Sequence, residues 1–381
     1  MNRAIFLVSV SAVIVGVSYG MYSPIVPVFS RDVLSADYSE VGLIGMVNFL
    51  PYMFAPLFVG MMLDRVNKSY VLLSGILLNV FSIYMLATVQ SVPEIMLYRS
   101  LAGIAHALFW PSSEVLISTN STAGNRVKGI SIFTAAWVLG FTVGPLIGKL
   151  VLDSYDYIVL FQVSALAIAA AVVPSALLRR HGQPVADRGE SEIRAVSVVQ
   201  MVREMAAYPW VSAVLLYYAA TFGVVLAVYP AYMGDASISN QEIEILFFIF
   251  GISRFGTLFF VQRISSYGML ALAFAVASTA VGMFISFVFT SVISFAIALA
   301  LVGLATSIFY PVTFNLVTRN TPPGKIGQKL GIYETLFGVG WTAGPIAAGL
   351  SSDAFNPSSP YLAFFLVGSA LAASIVIVRK K

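Results

Sequence analysis

Two ionisable side chains lie inside long apolar stretches of the sequence and have the chemistry to bind a proton. His106 is an imidazole, whose unperturbed pKa of about 6.5 lets it change charge at physiological pH. Glu334 is an acid that can hold a proton or a cation. Each also has an alternative role: His106 as a hydrogen-bonded histidine in a packed bundle, and Glu334 as the balance for Lys329 or another base. The pair indicates proton binding at membrane depth.

The stretch around His106 carries further polar residues on one face. Arg99, Gly103, His106, Trp110 and Glu114 recur at three- and four-residue spacing, which aligns them along one side of a helix. An Arg at membrane depth costs about 2.5–3.5 kcal/mol, so Arg99 must face protein or a wet cavity. A polar stripe of this kind predicts a cavity-lining helix.

The composition indicates that the helices of this chain lie in a membrane. The 381 residues are 59% hydrophobic and 10% charged, with a mean hydropathy of +0.90. Twelve stretches reach the roughly 20 residues that a spanning helix needs. We name them spans 1 to 12 and predict them at 4–28, 39–62, 69–90, 93–118, 127–151, 157–178, 209–233, 240–263, 267–289, 291–318, 327–351 and 359–378. Their apolar runs are continuous rather than alternating, which disfavours a β-barrel.

Residues 99–153 and 299–353 are two copies of one segment at a constant offset of 200. The matches fall on glycines, prolines, asparagines and aromatics, including Gly103 with Gly303, Pro111 with Pro311 and Asp153 with Asp353. Such duplication is typical of carriers that rock around a central site. We predict an all-α integral membrane protein with two pseudo-symmetric six-helix bundles, 1–178 and 207–381. The segment 179–206 between them is predicted to be cytoplasmic, either as an amphipathic helix or as a flexible linker.

Charge predicts the orientation of the chain. Most of the 21 Lys and Arg residues fall at the termini or in the loops that follow even-numbered spans. By the positive-inside rule, both termini are therefore cytoplasmic in a multi-pass protein of the plasma membrane. The excess of basic residues reflects the orientation of the chain in the membrane and does not indicate a nucleic-acid partner.

The loop between spans 2 and 3 has the charges of a gate. Gly60, Asp64, Arg65 and Lys68 place a carboxylate and bases beside helix ends, where charge pairs and helix dipoles can join two bundles. Glu114, toward the same end of span 4, is interpreted as a gate partner of these bases in preference to a proton carrier. The alternative is a topology signal without an energetic role.

Span 5 contains a pattern of small residues around a proline. Gly140, Gly144, Pro145 and Gly148 allow close helix approach and a bend. Span 11 repeats the pattern as Gly340, Gly344 and Pro345. Tight packing alone would also explain this pattern, and that explanation is compatible with a functional one.

These motifs and the duplicated layout resemble the major facilitator superfamily, above all its twelve-helix drug–proton antiporters, over nearly the whole chain. The resemblance implies a cytoplasmic gate in the loop motif, a role for Arg99 in proton coupling, and antiport from the span 5 pattern. The chain departs from the family's motifs where Asn67 replaces the turn glycine, Lys68 replaces an arginine, His106 stands where small residues usually follow, and Lys149 replaces the last glycine.

The family places spans 1, 4, 7 and 10 around the substrate. Arg254 of span 8 has no evident partner and is added as a possible anion contact. Span 1 has no acid in its middle, which disfavours a cationic substrate. The cavity candidates are Tyr19, Tyr22, Trp110, Tyr217, Tyr218, Thr221, Arg254, Tyr310 and Asn315.

The sequence therefore predicts a monomeric, proton-coupled secondary transporter that exports amphipathic organic compounds. Proton symport or facilitated movement of a small organic anion or metabolite is the first alternative, supported by Arg99, His106 and Arg254. A non-transporting membrane sensor is the second. An enzyme is disfavoured, and no metal or cofactor is expected, because the sequence shows no metal-ligand cluster, phosphate loop or Ser-His-Asp set. The expected partners are protons, a small-molecule substrate and the lipid bilayer.

Overall fold

The computed structural model describes residues 2–121, 123–182, 203, 206–318 and 326–379. Over these ranges the regular structure is helical, without strands. Spans 1 to 6 are Arg3–Tyr22 with Ile25–Asp32, Tyr38–Arg65, Lys68–Leu86, Val92–Thr119, Ala123–Leu152, and Tyr157–Ala169 with Val172–Leu177. Spans 7 to 12 are Pro209–Ala227 with Tyr229–Asp235, Asn240–Leu258 with Val261–Ser265, Met269–Val288, Val292–Thr318, Ile326–Ala354 and Ser359–Arg379.

Apolarity divides these spans into two groups. Eight helical segments in the described part of the chain are long and apolar enough to cross a membrane: spans 1, 3, 5, 6, 7, 9, 10 and 12. The other four, spans 2, 4, 8 and 11, are more polar. Three of them contain Arg99, Glu114, Glu244, Arg254 and Glu334. The polar spans therefore carry the candidate chemistry and the apolar ones surround it.

Helix packing repeats in the two halves. Span 1 packs on span 5, span 2 on span 4, and span 3 on spans 4 and 6; spans 7 to 12 repeat these contacts in the same order. The halves meet along two further contacts, span 2 with span 11 and span 5 with span 8. We call these the 2–11 seam and the 5–8 seam. The packing confirms two pseudo-symmetric six-helix bundles.

Glycine makes the closest contacts inside each half. A Cβ on Gly144 of span 5 would collide with the carbonyl oxygen of Val17 in span 1. Its counterpart Gly344 of span 11 stands in the same relation to Ala220 of span 7. The predicted small-residue pattern thus serves backbone-to-backbone packing in both copies.

The first span of each half is interrupted where the sequence analysis expected one helix. Span 1 breaks at Ser23-Pro24 and continues to Asp32. Span 7 breaks at Val228, before Pro230, and continues to Asp235. Proline supplies no amide hydrogen, so the helical ladder is interrupted there. Both spans therefore extend beyond their predicted ends. Residues 183–202 of the predicted linker lie outside the described ranges.

The two ends of the molecule differ in charge and in closure. We call the end with Asp32, Asp153, Asp235 and Asp353 the acidic end, and the end with Arg65, Lys68 and Arg179 the basic end. The hydrogen bonds described between the halves lie at the acidic end. They join Arg31 to Asp235 at 2.7 Å, Tyr38 to Asp235 at 2.9 Å and Gln241 to the Leu152 carbonyl at 2.8 Å. Tyr310, farther toward the basic end, is 43% exposed. The described part of the chain is therefore joined across the halves at the acidic end.

Candidate functional site

Aromatic rings from both halves meet at mid-depth of the bundle. Phe141 of span 5 lies edge-on to Phe250 of span 8, with ring centroids 6.0 Å apart. Phe49 of span 2 stacks on Trp341 of span 11 at 4.2 Å. The sequence analysis missed these residues, although Phe141 and Trp341 are counterparts at the offset of 200. They form the closed, apolar floor of the space between the halves.

Arg254 lies on this aromatic floor. Its guanidinium carbon is 5.7 Å from the ring centroid of Trp137 in span 5 and 5.4 Å from that of Phe222 in span 7. Cation–π contact with both halves holds the positive charge there. Nη1 has no hydrogen-bond partner among the described atoms. Arg254 thus keeps a buried donor without a described partner, and its contact with an anion stays a prediction.

Two acids, one in each half, accept hydrogen bonds from equivalent aromatic residues. Trp110 donates a hydrogen bond from Nε1 to Glu114 at 3.1 Å, and the Tyr310 hydroxyl donates to Glu334 at 2.6 Å. Trp110 and Tyr310 are counterparts in the duplication, so each half holds one acid with an equivalent aromatic donor. The two carboxyl groups lie within electrostatic range of one another, and Tyr52 lies within range of both. This pair can bind a cation or protons.

Arg99 and His106 lie deeper in the N-terminal half. Arg99 is buried, with its guanidinium 5.7 Å from the ring centroid of Tyr22. With the Asn48 amide turned so that its oxygen accepts, Nη2 of Arg99 donates to it at 3.3 Å. His106 Nδ1 bonds the Ala102 carbonyl at 2.9 Å, while Nε2 has no described partner. A carbonyl only accepts, so Nδ1 carries the hydrogen and Nε2 is the nitrogen able to take a proton.

The predicted gate motif is attached to its own half in this conformation. Asn67 Nδ2 donates to the Arg179 carbonyl at 2.9 Å, and the Lys68 amide donates to the Gly182 carbonyl at 2.8 Å. Arg65 is exposed. Glu114 accepts its described hydrogen bond from Trp110, and its contact with Arg65 or Lys68 stays a prediction. The side chain of Asp64 and the surroundings of Gly60 lie outside the described part.

The predicted cavity tyrosines divide into two groups. Tyr19 lies against His106, with ring centroids 5.1 Å apart, and Tyr218 stacks on Phe309 at 4.6 Å. The Tyr217 hydroxyl instead donates to the Phe364 carbonyl of span 12 at 3.1 Å. The Thr221 hydroxyl donates to the carbonyl of Tyr217 in its own helix at 2.7 Å. Tyr217 and Thr221 therefore belong to the packing of the C-terminal half. Asn315 is exposed, and Tyr22 is fully buried beneath Arg99.

The span 5 motif has two kinds of contact. Gly140 and Gly144 lie against the carbonyl oxygens of Val13 and Val17 in span 1. Gly148 instead lies against the carboxyl group of Glu244 in span 8, across the seam. Glu244 was not among the candidate residues predicted from the sequence. The structure buries it completely.

An all-helical membrane protein with two related six-helix halves, and a polar, aromatic cavity between them, has the architecture of an alternating-access transporter. The family model for the Major Facilitator Superfamily matches residues 8–290 and 214–381. The chain belongs to this superfamily and is a transporter rather than an enzyme.

Curated relatives include a drug resistance protein and a multidrug efflux protein. The chain is 22% identical over 394 residues to the quinolone resistance protein NorA of Staphylococcus aureus (strain MRSA252), covering 100% of this chain and 97% of that protein. It is 23% identical to the multidrug efflux protein YfmO of Bacillus subtilis (strain 168), covering 94% and 89%.

Solved structures share the fold. The nucleoside transporter NupG matches with a TM-score of 0.80 and 14% identity over 100% of both chains. A peptide transporter POT variant in complex with sulfate matches with a TM-score of 0.81 and 13% identity, over 100% of this chain and 95% of that one. At these identities the likeness concerns the fold.

Proposed function

We propose that this transporter exports amphipathic organic compounds in exchange for protons, as a monomer in the plasma membrane with its basic end and both termini in the cytoplasm. The observation that carries the proposal is the proximity of Glu114 and Glu334, one acid from each half, each hydrogen-bonded to an equivalent aromatic donor. The name of YfmO as a multidrug efflux protein and that of NorA as a quinolone resistance protein support the direction of transport.

Competition for the two acids supplies the coupling. Two carboxylates within electrostatic range repel each other, so a proton or a positively charged group stabilises the pair. A substrate with a basic nitrogen displaces protons when it binds from the basic end, and protons displace it at the other side. Because span 1 has no acid, the sequence disfavoured cationic substrates, but spans 4 and 11 supply the missing negative charge.

Alternating access follows from differential binding. A ligand shifts the equilibrium between the two open states only by as much as its affinities for them differ. In this scheme Arg65, Lys68 and Asp64 close the basic end when the acidic end opens, and Arg99 and His106 respond to the charge of the cavity. His106 Nε2, 4 residues along the helix from Trp110, is a second proton acceptor.

A second candidate function has its own support. Arg254 presents a free Nη1 in the cavity, and Arg99 has Nε and Nη1 without described partners. Free guanidinium donors suit a carboxylate or another small organic anion. In that case the protein would carry the anion together with protons or by facilitated movement. Glu114 and Glu334 would then modulate the transport of the anion.

The test is proton flux in liposomes that contain the purified protein and an internal pH dye. We expect an imposed gradient of a lipophilic cationic dye or another panel compound to drive protons in the opposite direction. Glu334→Gln and Glu114→Gln should each reduce this flux at least about tenfold, by analogy with the loss of one charge-assisted contact. Glu94→Gln is the matched control, because Glu94 is exposed at the start of span 4 and bonds only the nearby Gln90 amide among the described contacts.

The direction of proton movement separates the alternatives. Protons that move with an anionic substrate would support symport, and substrate flux without protons would support facilitated movement. Binding without flux would favour the sensor.

A further inference from the structure

Glu244 is an acid that the proposed transport cycle does not use. It lies in the first turns of span 8, on the 5–8 seam, and is 0% exposed. Neither carboxyl oxygen has a hydrogen-bond partner among the described atoms. An ionised carboxylate buried without hydrogen bonds is strongly unfavourable. Glu244 therefore has to be neutral in this closed conformation.

The carboxyl group occupies a space left by a glycine of the other half. A Cβ on Gly148 would collide with Glu244 Oε1 and would lie 3.1 Å from the carbonyl oxygen of Met21 in span 1. The Met21 carbonyl thus borders the same space and is an acceptor for the hydrogen of a protonated carboxyl. The seam is shaped to contain the acid in its neutral form.

Ionisable groups on the surrounding elements are engaged elsewhere. Lys149 of span 5 pairs with Asp153 at 2.5 Å. Arg31 of span 1 pairs with Asp235 of span 7 at 2.7 Å. Glu242 caps its own helix, and Asp32 accepts from Tyr157. Tyr229 and Tyr232 bond Ser286, and Tyr310 of span 10 bonds Glu334. Tyr22 lies beneath Arg99, and Arg254 lies on its aromatic rings. In the described part of the chain no cation compensates Glu244.

The equivalent position in the other seam carries no acid. Spans 2 and 8 both begin with a capping box, Asp37 with Glu40 and Ser239 with Glu242. Five residues after the cap, span 2 has Gly42, which lies directly against the backbone of Pro345 in span 11. Glu244 is thus an addition to one seam, and general helix packing does not require it.

We propose that Glu244 is a proton-binding site of the 5–8 seam, and that it must take up one proton before the acidic end can close. When the seam opens, the carboxyl group meets water and releases this proton to the compartment at the acidic end. When the seam closes, the proton returns to it from the same side. Closure is therefore favoured by acid and opposed by alkali, without a change in the number of protons that cross the membrane.

The role of this site in transport rests on the proposed function, but its test needs no substrate. The chain has no cysteine, so Tyr155→Cys and Phe355→Cys introduce two unique labelling sites. They lie in equivalent acidic-end loops of the two halves and are 63% and 80% exposed. Spin labels at these sites report the distance across the acidic end in the full chain, measured over roughly pH 5 to 9.

We expect the short distance to predominate at low pH and a longer distance to grow as the pH rises. Glu244→Gln, a neutral side chain of the same shape, should hold the short distance at every pH. Glu244→Asp should retain a pH response, and Glu94→Gln should behave as the parent protein. The response of Glu244→Asp also shows that a pH-insensitive Glu244→Gln is not simply misfolded.

An unchanged pH response in Glu244→Gln would overturn the inference, as would a pH-independent distance in the parent protein. In both cases proton-coupled export through Glu114 and Glu334 would stand if flux is observed. Loss of the response in Glu244→Gln, together with no substrate-driven proton flux in the parent, would support the site and overturn the proposed function alone.

Discussion

The two seams between the halves occupy equivalent positions but close by different chemistry. In the 2–11 seam, Asp353 accepts hydrogen bonds from the Tyr38 amide at 3.1 Å and the Ser39 amide at 2.7 Å, across the halves. Its counterpart Asp153, beside the 5–8 seam, instead pairs with Lys149 in its own helix. An ionised acid thus fixes one seam, whereas the other contains the buried, unpartnered Glu244.

The difference shows how a duplicated fold can divide two tasks between equivalent surfaces. A seam held by amide-to-carboxylate bonds and backbone contact is insensitive to pH over the range where Asp is ionised. A seam with an enclosed carboxyl group depends on its protonation. Lys149 and Gly349 are counterparts in the duplication. Gly349 packs against the backbone of span 2, whereas Lys149 pairs with Asp153, and this difference maintains the asymmetry of the seams.

Gly349→Val should break the 2–11 seam and have the largest effect. A Cβ there would collide with the carbonyl oxygen of Tyr38, which is backbone and cannot rotate away. Forced separation of packed elements typically costs about 1–3 kcal/mol, so we expect transport to fall about tenfold or more, with a longer distance across the acidic end. The control is Gly256→Val of span 8, where a Cβ would meet no atom within 4 Å. Equal loss in both variants would contradict a specific role for the seam.

Asp353→Asn should weaken the same seam less, because the bonded amides remain and only the charge is lost. The carboxylate is exposed to solvent, so we expect the closed state to lose about 1 kcal/mol, roughly a fivefold shift in population. Asp153→Asn should leave the population unchanged, since it removes only an exposed pair within one helix, worth about 0.3–0.5 kcal/mol. Distance measurements between labels at positions 155 and 355 report both effects. The reverse ranking would contradict the asymmetry of the seams.

Arg31→Gln should have the smallest effect. The pair with Asp235 joins the halves, but its side chains are 28% and 33% exposed, and such pairs contribute about 0.2–1 kcal/mol. We expect a small shift toward the open acidic end in about 0.05 M salt and almost none in about 0.5 M salt, because salt screens the pair. A shift that persists at high salt would assign Arg31 to packing against Tyr38 instead, where its guanidinium lies 4.6 Å from the ring centroid.

The sequence was sufficient for the fold because membrane spans depend on length and apolarity. Span 4 was predicted at 93–118 and is Val92–Thr119. The offset of 200 predicted the pseudo-symmetry that the packing confirms. The interruptions in spans 1 and 7 were missed, although Pro24 and Pro230 are visible signals, because apolar residues continue on both sides of each break.

The site was less predictable because side-chain direction depends on the neighbouring helix. Tyr217 looks like a cavity residue by composition, yet span 12 offers its hydroxyl a carbonyl partner. Glu244 follows Asn240, Gln241 and Glu242 at the polar start of predicted span 8, so the sequence did not mark it as an enclosed acid. Only the space at Gly148 shows that it is enclosed. Glu334 was predicted to bind a proton and Glu114 to join the gate, and the proximity of these two acids across the halves required the fold.

The most direct test of the central claim is the number of protons released when a transported compound binds. Calorimetry of the purified protein in buffers with different ionisation enthalpies gives this number without transport. The account predicts proton release with a cationic compound for the parent protein and for Glu94→Gln, and its loss in Glu334→Gln or Glu114→Gln. Binding of the compound to the parent protein without proton release would contradict the claim that substrate and protons share the two acids.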